Sequence, residues 1–366
     1  MLALKNIDIY FSRLVSALCL FWILAEANVW LDPLNNVILV LGYRLFILLT
    51  PFFFLFFRHK LTFVAMLILE LGIALWLLNL TMIGTIFFAI GISVSGYMLK
   101  YYSSFSTKGA AGNKIALNLG SILSGCMVAF SQSKSTALIA CLILMLFSFF
   151  SFAKYFKRAD ISNFKSDKKH FQFNNIFTKQ GVAWAILGFV IGVKLISIVS
   201  ILPQFAMTGN DGKLPAWFGF MLILNSLIVV VLQVPIMNLV QKLNKLQAIL
   251  PLFIGMLIIL LSPALNISTV AGAFLWTFAL SIVECCLSYL DKLSQDDSCL
   301  LIKEACVGVG SAATVYFVRF FSPHVGAIYI GSISIILLLI SLGIFYRLSI
   351  RHVSVHDNGR LNKSLA

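Results

Sequence analysis

The chain has 366 residues, of which 60% are hydrophobic and only 11% charged, with a mean hydropathy of +1.00. A water-soluble domain carries about 25% charged residues to meet water over its whole surface, so an ordinary globular exterior is excluded and lipid must solvate much of this one. The formal net charge of +14 does not point to nucleic acid, because Lys and Arg lie in short segments between apolar runs instead of gathering on one basic face.

Crossing about 30 Å of hydrocarbon takes about 20 mainly apolar residues, with every backbone donor satisfied inside the helix. In chain order this rule predicts helices at 12–31, 36–57, 61–79, 81–99, 114–132, 135–154, 182–203, 215–239, 248–266, 268–290, 301–322 and 326–347. The expected fold is therefore all-α, a polytopic membrane protein of about 12 transmembrane helices in two six-helix bundles. The first run is longer than the apolar core of a secretion signal and lacks a small-x-small cleavage site, so it reads as a crossing that stays. Two connections, Asn79 to Thr81 and Asn266 to Ser268, are so short that they force antiparallel neighbours.

Basic residues orient the chain. With the amino terminus in the cytoplasm, inside segments collect Lys5, Arg13, Arg58 and Lys60, then Lys100, Lys108 and Lys114, and seven more around the central loop. Lys242, Lys245, Lys292, Lys303, Arg347, Arg351, Arg360 and Lys363 complete 22 of the 27. Lys134 and Lys213 fall outside, and Arg44, Lys194 and Arg319 fall within predicted helices. This asymmetry follows the positive-inside rule and places both termini in the cytoplasm. The division is then residues 1–156 as an amino-terminal bundle, 157–180 as a basic cytoplasmic linker, 181–348 as a carboxy-terminal bundle and 349–366 as a cytoplasmic tail.

Enzymatic chemistry in a membrane needs converging nucleophile, base or metal ligands. The five histidines, His59, His170, His324, His352 and His356, sit in loops, tails or at a helix edge. The seven cysteines show no metal spacing or outside framework, and Cys285-Cys286 reads as a pair of small packing residues. The stretch Lys108-Gly-Ala-Ala-Gly-Asn-Lys114 has the wrong spacing for a phosphate loop and no following Ser or Thr. No enzyme activity, cofactor or metal is expected.

Local motifs narrow the class. The seventh predicted helix ends in Ile-Leu-Pro-Gln-Phe at 201–205, and the eighth carries Asn225 and Gln233-Val-Pro235, followed by a basic loop. In the tenth, Glu284 precedes Asp296-Asp297. In these features, with six plus six crossings and a basic centre, the chain resembles the major facilitator superfamily, in its drug-exporter-like branch. The amino-terminal signature loop is degenerate: Phe-Phe-Arg58-His59-Lys60 keeps the basic residues without the glycine and aspartate, and the fifth helix has only Gly120 and Gly125 in place of a glycine-proline motif. The resemblance implies a secondary transporter working by alternating access, a proton-coupled exporter of a metabolite, drug-like compound or siderophore. An importer or facilitator, and a non-transporting sensor or scaffold, stay open as alternatives. The implied partners are the bilayer of a bacterial inner membrane, a small-molecule substrate and protons, with the chain a monomer.

An ionisable group inside a bilayer is costly unless it faces a cavity or a partner, so each is a functional candidate. Five qualify: Glu26, Arg44, Glu70, Lys194 and Glu284. At a rise of ~1.5 Å per residue, Arg44, Glu70 and Glu26 lie roughly 12, 14 and 8 Å below the outer edge, which allows Arg44 to pair with either glutamate. The resemblance implies that the first, fourth, seventh and tenth helices line the path, which places Glu26, Lys194 and Glu284 on lining helices and Glu70 on a peripheral one. Lys194 is expected near mid-membrane, facing an anionic substrate or losing its proton, and Glu284 nearer the cytoplasm as a proton-coupling acid raised by desolvation. Gly188, Gly192, Gly308, Gly310 and Ser311 offer close-approach surfaces on the seventh and eleventh helices. Trp22, Trp30, Trp76, Trp217 and Trp276 read as interfacial belt or cavity wall.

Overall fold

Twelve crossings thread the computed structural model, which describes residues 7–130, 133–158, 177–208, 210–211, 215 and 217–363. Side chains at 25–29, 157–158, 319 and 349–363, and at a few single positions, also lie outside the description. The helices are α1 (Ile7–Trp30), α2 (Pro33–Leu45), α3 (Thr50–Phe57), α4 (Leu61–Leu77), α5 (Thr81–Ser103), α6 (Thr107–Phe130) and α7 (Lys134–Arg158). After the central loop come α8 (Lys179–Thr208), α9 (Trp217–Val240), α10 (Leu250–Leu260), α11 (Val270–Asp296), α12 (Leu300–Phe320) and α13 (Pro323–Lys363).

The second crossing is broken into α2 and α3 by the 3-10 turn Phe46–Leu49. Pro51 supplies the cause, because its ring displaces the carbonyl four residues back and it has no N–H to donate, so the chain tightens before restarting. Asp32 caps α2 by accepting from the Asn35 N–H at 2.8 Å. The two short connections foreseen from sequence turn on Asn79 and Asn266, with φ of 61° and 48°. Asparagine tolerates this left-handed region better than most residues with a side chain.

The outer surface is apolar: Leu55, Phe56, Phe150, Phe220 and Leu275 are exposed large side chains on helices of the two halves. In water this would be a severe liability, and in lipid it is a solvated exterior. Eight helices are long and apolar enough to cross a membrane, and shorter apolar helices at Leu41–Phe57, Leu61–Leu77 and Gln247–Leu260 fill out the rest, with the more polar α6 among them. This is a multi-pass membrane protein.

Packing repeats six crossings apart. In the first half α1 packs on α6 and α7, α5 on α2 and α4, and α4 on α7. In the second half α8 packs on α12 and α13, α11 on α9 and α10, and α10 on α13. Each pair has its counterpart, which is the signature of a parallel structural repeat. Glycine builds a tight seam between the equivalent helices of each half. A Cβ on Gly120 of α6 would lie 2.5 Å from the Leu14 carbonyl oxygen of α1. On Gly192 it would lie 2.1 Å from the Val307 carbonyl oxygen, and on Gly310 1.9 Å from that of Phe189. Ser311 adds a hydrogen bond to the Gly192 carbonyl at 3.2 Å.

The tryptophans are core residues here: Trp22, Trp76 and Trp276 are buried. Trp76 donates to Thr85 Oγ1 at 3.2 Å, and Trp276 to Ser262 Oγ at 3.0 Å, so these two indole N–H groups are satisfied, whereas that of Trp22 is buried without a partner among the described residues. Trp30 stands edge-on to Trp76 at 5.0 Å, with the Lys134 ammonium 4.7 Å from its ring centre.

Candidate functional site

The polar interior is organised by α11. Thr277, Ser281, Glu284, Ser288 and Asp291 are all buried and recur at alternating spacings of four and three, so they form one stripe down a helical face. Two contacts from α9 fix that face. Ser281 Oγ donates to Asn225 Oδ1 at 2.8 Å, and Gln233 Nε2 donates to the Cys285 carbonyl at 2.9 Å. The polar residues that drew attention in the eighth crossing thus hold the segment that carries Glu284.

Glu284 is gripped by two lysines. Lys194 Nζ of α8 lies 2.5 Å from Oε2, and Lys114 Nζ of α6 lies 2.6 Å from Oε1. Lys194 is fully buried. A buried carboxylate is tolerable only with charge partners and hydrogen bonds to satisfy it, and here its desolvation is met by two ammonium groups, one from each half. Glu284 is therefore no isolated desolvated acid of the kind expected from its depth alone.

Two turns along the stripe, roughly 10 Å away, a second cluster joins α5, α11 and α12. Lys100 lies 3.0 Å from Asp291 and 2.8 Å from Glu304. Lys303 pairs with Asp291 and, at 2.7 Å, with Glu304. These residues sit in the last turns of α5 and α11 and the first turn of α12, so the cluster lies at the end of the molecule where α5 turns into α6 and α11 into α12. Beyond it, Asp297 accepts from Trp184 Nε1 at 2.7 Å and from Lys245 at 2.5 Å, and Asp296 pairs with Lys292.

Two arginines lie alongside. Arg44, at the end of α2, holds its guanidinium over the Tyr43 ring, 4.9 Å from its centre. Gly308 of α12 makes room for it, since a Cβ there would meet Arg44 Cβ at 3.0 Å. Arg13 of α1 is within range of Arg44, Glu304 and Asp291, and donates to the Gly96 carbonyl at 3.5 Å. The Nε atoms of both arginines are buried without a hydrogen-bond partner.

Of the five residues singled out from sequence, the structure brings Lys194 and Glu284 into direct contact and places Arg44 nearby. Among the described residues Arg44 has no ion pair with Glu70, one of its two alternative partners. Glu70, on α4, is buried with Oε1 unpartnered and stands apart from the network. The side chain of Glu26 lies outside the described residues. Sequence reasoning missed Arg13, Lys100, Lys114 and Lys303 by counting them as loop cations, and Asp291 and Glu304 by leaving them near helix ends. Their signal was spacing: Asp291 lies seven residues beyond Glu284, on the same face. The faint phosphate-loop stretch 108–114 is helical, and its Lys114 is a half-buried ion-pair partner of Glu284.

No protein-family model matches the chain, and no curated protein matches its sequence. Solved structures do match. One is a bacterial homologue of the iron transporter ferroportin in an outward-facing state, at TM-score 0.68 and 13% identity, covering 94% of this chain and 99% of that one. The chain has the major facilitator fold. A POT family transporter in complex with a thioalcohol-conjugated peptide matches at TM-score 0.64 and 13% identity, over 94% of this chain and 96% of that one. The human organic anion transporter MFSD10 (TETRAN) matches at TM-score 0.63 and 12% identity, over 92% of this chain and 97% of that one.

Proposed function

We propose that this chain is a secondary transporter that moves a small solute by rocking its first six crossings against its last six. The observation that carries this reading is the pair of ion clusters bridging the halves: Lys114 with Glu284, and Lys100 with Asp291 and Glu304. Within each half the seams are glycine-tight, whereas between the halves charged and exchangeable contacts stand beside the apolar ones. An alternating-access protein needs this distribution, because its halves move as bodies and part at one end at a time. With both termini cytoplasmic, the Lys100 cluster is the inner gate and the state described is closed to the cytoplasm.

Proton coupling is assigned to Glu284. When the halves part at this level, Lys114 leaves with the first half and Glu284 keeps only Lys194, so the carboxylate exchanges one cation for a proton. Export is the direction favoured by the exporter-like residues of the eighth crossing, Asn225 and Gln233, which position α11. The test is a comparison of metabolites in cells and medium with and without the chain, followed by uptake of the affected metabolite into inverted vesicles acidified inside. Accumulation that Glu284→Gln abolishes supports proton-coupled export. Unaltered metabolite pools contradict transport, and accumulation without an imposed gradient contradicts coupling.

A further inference from the structure

The interior charges do not balance. Around the two clusters the described residues supply six cations, Arg13, Arg44, Lys100, Lys114, Lys194 and Lys303, against three carboxylates, Glu284, Asp291 and Glu304. The lysines are all engaged with carboxylates. Four lysines share the three carboxylates, and the two arginines add two further positive charges, since among the described residues neither has a carboxylate within ion-pair distance. Each keeps a buried Nε without a hydrogen-bond acceptor. They come from α1 and α2 of one half and flank the same ion pair: Arg13 meets Gly96, one turn before Lys100, and Arg44 meets Gly308, one turn after Glu304. Two like charges with buried, unpartnered Nε atoms inside a membrane protein carry a cost that an anionic partner would offset. A guanidinium is a fork of fixed donors matched to the oxygens of a carboxylate or phosphate.

We propose that Arg13 and Arg44 form a binding site for a small organic anion carrying more than one carboxylate or phosphate charge, which enters between the halves and completes the network. Lys114 and Lys194 are held in reserve by Glu284, so the substrate's charge is read by the arginines first. This assignment rests on the transporter reading for its biological sense, yet it concerns binding and is measured without flux.

The experiment is thermal unfolding of the full chain in nanodiscs, followed by tryptophan fluorescence at low ionic strength. The probes are succinate, citrate and glucose 6-phosphate, with glucose and choline as neutral and cationic controls. At least one of the three anions raises Tm in a saturable manner, while glucose and choline leave it unmoved. Arg44→Gln and Arg13→Gln each weaken that anion by about tenfold or more, the weight of a charged hydrogen bond, and Arg44→Lys weakens it less. Because each Gln variant removes a surplus cation, the ligand-free protein keeps or gains stability. Stabilisation by glucose or choline in preference to the anions, no shift from any of the five, or ligand-free variants that lose stability overturns the proposal. An anion that binds but is not carried across proteoliposomes leaves this site standing and removes the transporter reading.

Discussion

The two halves repeat each other in packing and differ in charge. The first contributes Arg13, Arg44, Lys100 and Lys114 to the interior, all cations, whereas the second contributes Lys194 and Lys303 together with every carboxylate of the network. The repeat explains how the molecule is built: glycine seams hold α1 to α6 and, six crossings later, α8 to α12. The charge difference explains how it works. Opposite signs draw the halves together where Lys100 meets Asp291 and Glu304, and the surplus positive charge stays with the half that contributes no carboxylate to the described network.

Breaking the contrast at its centre has the largest expected effect. Glu284→Gln strands two lysines, one of them fully buried, and removing one partner of a buried ion pair costs about 3–5 kcal/mol. Thermal unfolding of the purified variant is expected to fall accordingly, with flux lost. A variant of normal Tm places Glu284 outside the structural network. Next come the seams that the halves share. Gly192→Val and Gly120→Val each drive a side chain into a carbonyl already within 2.5 Å or less of the missing Cβ, and overpacking costs about 1–3 kcal/mol. Similar losses of Tm in both show that the two halves are mechanically equivalent, and a loss confined to one breaks the repeat.

A smaller effect is expected at the start of the second crossing. Asp32→Ala removes the acceptor for the Asn35 N–H, worth about 0.5–2 kcal/mol, and hydrogen exchange is expected to quicken over the first turn of α2 alone. Uniform quickening along the first half contradicts a local cap. The smallest change is expected at Glu70. Its Oε1 has no partner and no lysine faces it among the described residues, so Glu70→Gln leaves Tm and flux near the parent values. A loss comparable to that of Glu284→Gln places it in the mechanism after all.

Much of the fold was legible because its signal is bulk. A run of about 20 apolar residues declares a crossing whatever its neighbours are, and Asn79 and Asn266 marked the sharp reversals. The helix ends were less legible, since α6 begins at Thr107 and not at 114. Lys108 and Lys114 depress the apparent hydropathy there, so a half-buried lysine paired with Glu284 looked like a loop residue. The same confusion hid Arg13, Lys100 and Lys303: a cation near a helix end satisfies the positive-inside rule and an interior ion pair equally well, and only the partner across the chain distinguishes them. Lys194 and Glu284 were visible because they lie deep inside long apolar runs. Their contact was not, because 90 residues separate them and single-chain periodicity carries no information about which helix faces which.

Relative motion of the halves is the claim on which the functional account depends. Spin labels at the exposed positions Lys108 and Lys242, one in each half, report it through pulsed electron resonance in nanodiscs with the accessible native thiols replaced. The account predicts two separations in exchange, with the longer one enriched by Glu304→Gln, which weakens the Lys100 cluster. A single separation that this substitution leaves unchanged contradicts it.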